Sequence, residues 1–257
     1  MKISAVQFDV KWGEPFVNQQ FVEKYISENL IESDMVLLPE MFSTGFSMKP
    51  EKISEPMSDS PTLKWMINCA VKFRKVIAGS IAVSENGHYY NRFFFVKPSG
   101  EYEYADKRHL FRMSGEDEVY SKGMERKIVE YMGVRFLLLV CYDLRFPVWS
   151  RIRGNEYDVI LYVASWPDVR IGVWDILLKA RAMENLSYVV GVNRVGDDKK
   201  CHYNGHSVIL DYHGRVVAAA ADDLQEAITA VISVDELNSA REKFPAYLDS
   251  DDFIINR

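Results

Sequence analysis

Three cysteines in 257 residues, Cys69, Cys141 and Cys201, are too few and too scattered for a disulfide framework. Reduced thiols are the expectation. No apolar run approaches the roughly 20 residues that cross a bilayer. The opening "MKISAVQFDV" becomes a short alternating strand, where a secretory leader would carry a long apolar core and a cleavage site. The expected localisation is therefore cytoplasmic, and the Asn185-Leu186-Ser187 glycosylation pattern carries no weight without secretion. Positive charge is also in short supply: 31 Lys and Arg stand against 37 Asp and Glu, a formal net charge of −6. No stretch interleaves basic and aromatic residues as a phosphate-tracking groove requires. A small molecule is the expected partner, with no nucleic acid and no membrane. No repeat, low-complexity tract or Pro/Gly/Ser linker divides the chain, so residues 1–257 are expected to form one domain, long enough to bury a large core. "CHYNGH" places Cys201, His202 and His206 together, but a second ligand cluster and an HExxH pattern are missing. No metal is expected there.

What the chain does have is an alternation of strand-like and helix-like segments almost from end to end. Residues 3–8, 35–39, 76–83, 90–97, 102–107, 134–141, 159–164 and 188–194 read as strands, and 16–31, 63–73, 144–154 and 172–187 as helices. Phe21, Val22, Tyr25, Ile26 and Leu30 make one stripe at helical spacing. Leu63, Met66, Ile67, Ala70 and Phe73 make another, with Asp59 or Ser60 ahead of Pro61 as the start and Cys69 on the core side. A hairpin turning at His213-Gly214, a strand "AITAVIS" and a helix "DELNSAREKF" capped by Ser233 or Asp235 close the pattern. Several strands are continuously apolar, as expected where both faces of a sheet are covered, while the hairpins supply antiparallel pairs. The fold class is α/β with mixed sheets.

Three of these strands run into reactive or charged residues: "MVLLPE" into Glu40, "YEYADK" into Lys107 and "FLLLVC" into Cys141. Ligands of open α/β sheets bind beyond the carboxyl ends of strands, so the three side chains have a place to converge. From the strand alone Cys141 is either a small core filler or a nucleophile. A free thiol titrates at roughly 8.5 and reacts as its thiolate, so an adjacent ammonium such as Lys107 would favour attack. A partly buried carboxylate such as Glu40 can take the thiol proton and return it to a leaving group. Lys107 would then also donate to an oxyanion, beside the backbone N–H that follows the nucleophile.

"LLPEMF", "DKRHLF" and "VCYDLRFP" together resemble the three signatures of the nitrilase superfamily of carbon–nitrogen hydrolases, in the right order. "PEMFSTGF", "KRHLFRMSGE", "ASWPDVR" and "KFPAYLDSDDF" resemble its omega-amidase branch. The resemblance implies an αββα sandwich with mixed sheets that dimerises to αββααββα, with the tail 235–257 at the dimer interface. It implies hydrolysis of the terminal amide of alpha-ketoglutaramate or alpha-ketosuccinamate, without a cofactor, through a thioester on Cys141. Lys107 and the Tyr142 N–H would hold the oxyanion, and Glu40 would move the proton. A second glutamate, counted back from Gly123, is Glu116, with Glu118 as the competing choice. Other amide specificities, an N-carbamoyl compound or a deaminated peptide, stay open, as does a noncatalytic interaction module of the same fold.

For the pocket wall, the residues offered are Trp166 and Arg170, just past a strand end, with Phe42 and Phe46 at the mouth. Arg170 suits the distant carboxylate of such a substrate, though a surface arginine is equally compatible with the sequence. Asp143 and Arg145 are expected to brace the turn after Cys141, and Arg181, Glu184 and Asn185 to form a structural polar network. The apolar Phe253, Ile254 and Ile255 near the carboxyl end invite a covering subunit.

Overall fold

In the computed structural model, which describes residues 1–255, the alternating segments become two mixed sheets stacked face to face between helices. The strands are β1 (Lys2–Gln7), β2 (Met35–Leu37), β3 (Glu55–Pro56), β4 (Val76–Glu85), β5 (His88–Val96), β6 (Tyr102–Asp106), β7 (Ile128–Tyr131), β8 (Val134–Val140), β9 (Val159–Ala164), β10 (Tyr188–Asn193), β11 (Val195–Asp197), β12 (His202–Asn204), β13 (Val208–Leu210), β14 (Val216–Ala219) and β15 (Glu226–Val231). The helices are α1 (Pro15–Asn29), α2 (Pro50–Ile53), α3 (Pro61–Phe73), α4 (Glu116–Val119), α5 (Pro147–Ser150), α6 (Ile171–Asn185) and α7 (Val234–Lys243).

One sheet runs β15-β1-β2-β4-β5-β6, with β3 paired to β4, and the other β14-β13-β10-β9-β8-β7. Each has three parallel strands at its centre, β1-β2-β4 in one and β8-β9-β10 in the other, flanked by antiparallel strands. Period-two alternation assigns the layers. Met35, Leu37, Val76, Ala78, Phe93 and Phe95 face the second sheet and join one core. Their neighbours Val36, Leu38, Ile77 and Phe94 face α1 and α3 and join another, with Val22, Ile26, Met66 and Cys69. On the far side α6 lays Trp174, Leu178 and Ala182 on the second sheet. Strands covered on both faces have no polar face to show, which is why their sequences are unbroken apolar runs.

Helix starts follow the local chemistry. Ser60 Oγ accepts the Leu63 N–H ahead of Pro61, and Ser233 Oγ accepts the Glu236 N–H at α7. The helix expected over 144–154 is different: a 3₁₀ turn Cys141–Arg145 precedes the four-residue α5. Pro147, lacking an N–H, cannot extend the turn, and the chain leaves α5 through Gly154 at φ 58°. The short strands β7, β11 and β12 are further additions; β7 pairs with β8 across the left-handed Met132-Gly133 turn. Arg181 and Asn185 do form a polar network, donating to Leu144 O (2.6 Å) and accepting from the Ile152 N–H (2.9 Å), respectively. At the carboxyl end Tyr247 and Ile255 pack on the core while Ile254 is exposed. The last two residues of the tail assigned to a dimer interface lie outside the described residues.

Candidate active site

Glu40, Lys107 and Cys141 stand at the carboxyl ends of three strands and meet where the two sheets face each other. Beyond β2 the chain turns at Pro39 and passes Glu40 into Met41, whose left-handed φ of 45° is held by Ser80 Oγ accepting its N–H (3.0 Å). Glu40 is tied from the opposite sheet: the Ser165 N–H, just past β9, donates to Oε2 at 2.9 Å. Lys107 leaves β6 with its own N–H donating to Asn91 O (2.9 Å) and its carbonyl accepting from the Gly123 N–H (2.8 Å). A Cβ on Gly123 would fall 2.1 Å from Asp106 O, so only glycine lets the loop carrying Glu116 close against β6.

Cys141 begins the 3₁₀ turn at φ 46°, a conformation costly for a non-glycine residue and one that persists only where surroundings over-determine it. Asp143 supplies that determination. Its Oδ2 accepts the Val140 N–H (3.0 Å) and its Oδ1 accepts the His109 backbone and ring N–H groups (2.9 and 2.8 Å), stitching the Cys141 turn to the Lys107 loop. Asp143 therefore braces as expected. Arg145 does not: its side chain makes no hydrogen bond among the described residues, and its guanidinium lies 5.4 Å from the Trp166 ring centroid, in the wall of a cavity.

Lys107 Nζ donates to Glu40 Oε1 (2.9 Å) and to both oxygens of Glu116 (3.0 and 2.9 Å), with all three side chains fully buried. Glu116 also accepts the Phe111 N–H (2.6 Å), whereas Glu118 is exposed, so the second glutamate of the cluster is Glu116. Burial works against the lysine charge, but Glu116 and Glu40 outweigh it and hold Lys107 well above its ordinary value. Burial pushes the Glu116 carboxyl up, with Lys107 opposing and Glu40 adding. One ammonium between two carboxylates leaves the ionised cluster a net charge of −1. Lys107 favours the Cys141 thiolate as expected, but it is outweighed. Burial, with the charge of Glu40 added, holds the Cys141 thiol well above its ordinary value; Lys107 and the Ser165 N–H pull the other way without prevailing. Cys141 rests as a thiol and needs its proton taken as it attacks.

Lys107 and Cys141 open onto a cavity of about 710 Å³, within the range of small-molecule sites. Phe46, Phe111, Trp166, Arg145 and Arg170 line it. Phe46 stands 4.9 Å from Lys107 Nζ, and the Arg170 guanidinium 5.2 Å from the Phe111 ring centroid. Neither arginine has a carboxylate partner among the described residues. Phe42 is a correction. It points to the helix side of the first sheet, fully buried 5.8 Å from Trp65, because the turn at Met41 sends residue 42 away from the side of Glu40. Among the described residues no group of three His, Cys, Asp or Glu is arranged to hold a metal ion. His202 instead bridges Asp197 and Asp223 (both 2.9 Å).

Sequence reasoning overlooked Asn91, whose Nδ2 donates to Glu40 Oε1 at 2.8 Å. The signal available was one amide inside the aromatic run "HYYNRFFFV".

Comparison with known proteins identifies the family. The carbon–nitrogen hydrolase family model matches residues 2–242. Omega-amidase YafV of Yersinia enterocolitica is 42% identical over 256 residues, covering 99% of this chain and 98% of that protein. The 2-oxoglutaramate amidase of Bacillus subtilis is 33% identical over 251 residues, covering 96% of each. XC1258 of Xanthomonas campestris, a CN-hydrolase superfamily protein crystallised with an arsenic adduct in its active site, superposes with a TM-score of 0.96 at 37% identity, covering 100% of this chain and 99% of that one. By sequence, by fold and by the convergence of Glu40, Lys107 and Cys141 at the strand ends, the chain belongs to the carbon–nitrogen hydrolase family of the nitrilase superfamily.

Proposed function

We propose that this hydrolase is an omega-amidase, cleaving the terminal carboxamide of alpha-ketoglutaramate or alpha-ketosuccinamate to the dicarboxylate and ammonia. The observation that carries this reading is the buried Glu40–Lys107–Glu116 cluster against Cys141, at the floor of a cavity whose wall holds two arginines without carboxylate partners. Arg145 and Arg170 suit the carboxylate at the far end of such a substrate, since an anion taken from water needs a charged donor. The relatives named omega-amidase and 2-oxoglutaramate amidase support the same substrate class.

In the proposed sequence Glu40 takes the thiol proton as Cys141 Sγ attacks the amide carbon. Of the three N–H groups of Lys107, one goes to Glu40 and one is shared by the two oxygens of Glu116, which leaves the third for the oxyanion. The Tyr142 N–H, at the start of a helical turn and without an intrahelical acceptor, supplies a second donor. Glu40 passes its proton to the nitrogen, ammonia departs, and a thioester remains. Glu40 then takes a proton from water as the oxygen attacks, and returns it to sulfur as the product carboxylate leaves. Glu116 positions Lys107.

Ammonia release across the two keto acid amides, an N-carbamoyl compound and a deaminated peptide tests the assignment. The keto acid amides are expected to have the highest kcat/KM, with Cys141→Ala inactive on all. A higher value for either rival reassigns the substrate, and no release from any of them favours an interaction module.

The chain is read as one catalytic unit acting as a homodimer. Within the tail 235–257 proposed for the dimer interface, the exposed Phe244 and Leu248 (66% and 69%) support such a role. The three free cysteines fit a cytoplasmic, reducing setting.

A further inference from the structure

Asn91 is fully buried on β5, and its side-chain amide faces both carboxylates of the cluster. Its backbone carbonyl accepts the Lys107 backbone N–H at 2.9 Å, its Nδ2 donates to Glu40 Oε1 at 2.8 Å, and the same nitrogen lies 3.5 Å from Glu116 Oε1, an electrostatic contact rather than a good hydrogen bond. Its Oδ1 has no partner among the described residues. A buried amide oxygen left unpaired costs stability, so the donor half of the side chain, not its fit to the core, accounts for this placement.

Glu40 and Glu116 share one ammonium, and two ionised carboxylates so close repel each other. An amide N–H directed at both lowers that repulsion without adding charge. Oε1 of Glu40 is thereby fixed between Asn91 and Lys107, and Oε2 takes the Ser165 N–H on the side of the thiol. We infer that Asn91 is a positioning residue that holds the Glu40 carboxylate turned toward Cys141, so that the pH profile of the reaction depends on its N–H. The other groups facing Glu40 are Lys107, Glu116, Cys141 and, across the cluster, Tyr120, which donates to Ser47 O. None of these replaces the lost donor. The inference rests on the amidase reading for its kinetic test only.

Two variants separate positioning from a structural role. Asn91→Leu keeps the size and removes the donor, and the acid limb of kcat/KM is expected to move up by about one pH unit. The kcat at its optimum is expected to fall about 10-fold, with KM within about twofold. Asn91→Asp places a third carboxyl among two carboxylates, where it stays protonated to higher pH and donates as the amide does. It is expected to keep activity at low pH and to show a new falling limb as pH rises. A structural role would lower the rate evenly and leave both limbs where the wild type has them, and that result overturns the inference. If Asn91→Leu does not fold, a wild-type profile in Asn91→Asp alone overturns it. If no amide is turned over, the pH profile of Cys141 alkylation by iodoacetamide is read instead, with the same displacements expected. Failure of the amidase reading is thus distinct from failure of the role of Asn91.

Discussion

Replacing Lys107 by methionine removes the only cation from a fully buried site and leaves Glu40 and Glu116 facing each other. Breaking a buried ion pair by deleting one partner costs about 3–5 kcal/mol, because the remaining charge is unpaired out of water. For a chain of this size each kcal/mol moves Tm by roughly 2–4 °C, so a loss of roughly 10 °C is expected near neutral pH. The sign of the pH dependence follows from the groups. In the wild type Lys107 sits well above its ordinary value, so its contribution is fully present below the unfolded lysine pKa, about 10.4, and is lost only as pH rises through the folded value. In Lys107→Met two buried carboxyls face each other with no cation between them, and burial and mutual repulsion disfavour their charged forms. The penalty is then absent below about pH 4, where both are protonated in either state, and grows as pH rises. Thermal melts of both proteins from pH 4 to pH 8 read this directly. The double variant Lys107→Met/Glu116→Gln should recover part of the loss at pH 8. An equal deficit at both ends of the range, or none at pH 8, would refute the charge accounting.

Arg145→Gln should raise KM for a keto acid amide by about 10-fold or more, the worth of one charged hydrogen bond, and leave a neutral short-chain amide within about twofold; steady-state kinetics on both decide it. Phe42→Ala and Phe46→Ala separate core from cavity wall: the first should cost about 3–5 kcal/mol in denaturant titration, the second less than about 1 kcal/mol while changing KM. Gly123→Ala forces a methyl group onto Asp106 O, and is expected to displace the Glu116 loop and lower kcat at least about 10-fold. Unchanged kinetics in that variant would mean the loop closes without the glycine.

Glu40, Lys107 and Cys141 were legible because each follows a strand, where ligands of open α/β sheets bind, and each sits in a segment resembling a family signature. Glu116 was reachable only by counting from Gly123 in a loop, since α4 is too short to show a period. Asn91 showed in sequence only as one amide inside an aromatic run, and its meaning lies in partners 51 and 25 residues away. Arg145 was misread because an arginine after a tight turn fits bracing and ligand binding equally, and only the absence of nearby acceptors decides. Phe42 was placed at the pocket mouth with Phe46, but past the left-handed Met41 it packs in the helix-side core. The 144–154 segment has helical spacing, but Pro147 divides it.

A covalent bond between the substrate acyl group and Cys141 is the claim on which the chemistry depends. Intact-mass measurement during turnover of alpha-ketoglutaramate should show a transient adduct equal to the acyl group on the wild-type chain and none on Cys141→Ala. Turnover with no adduct on rapid quenching, or an adduct that persists in Cys141→Ala, would contradict it.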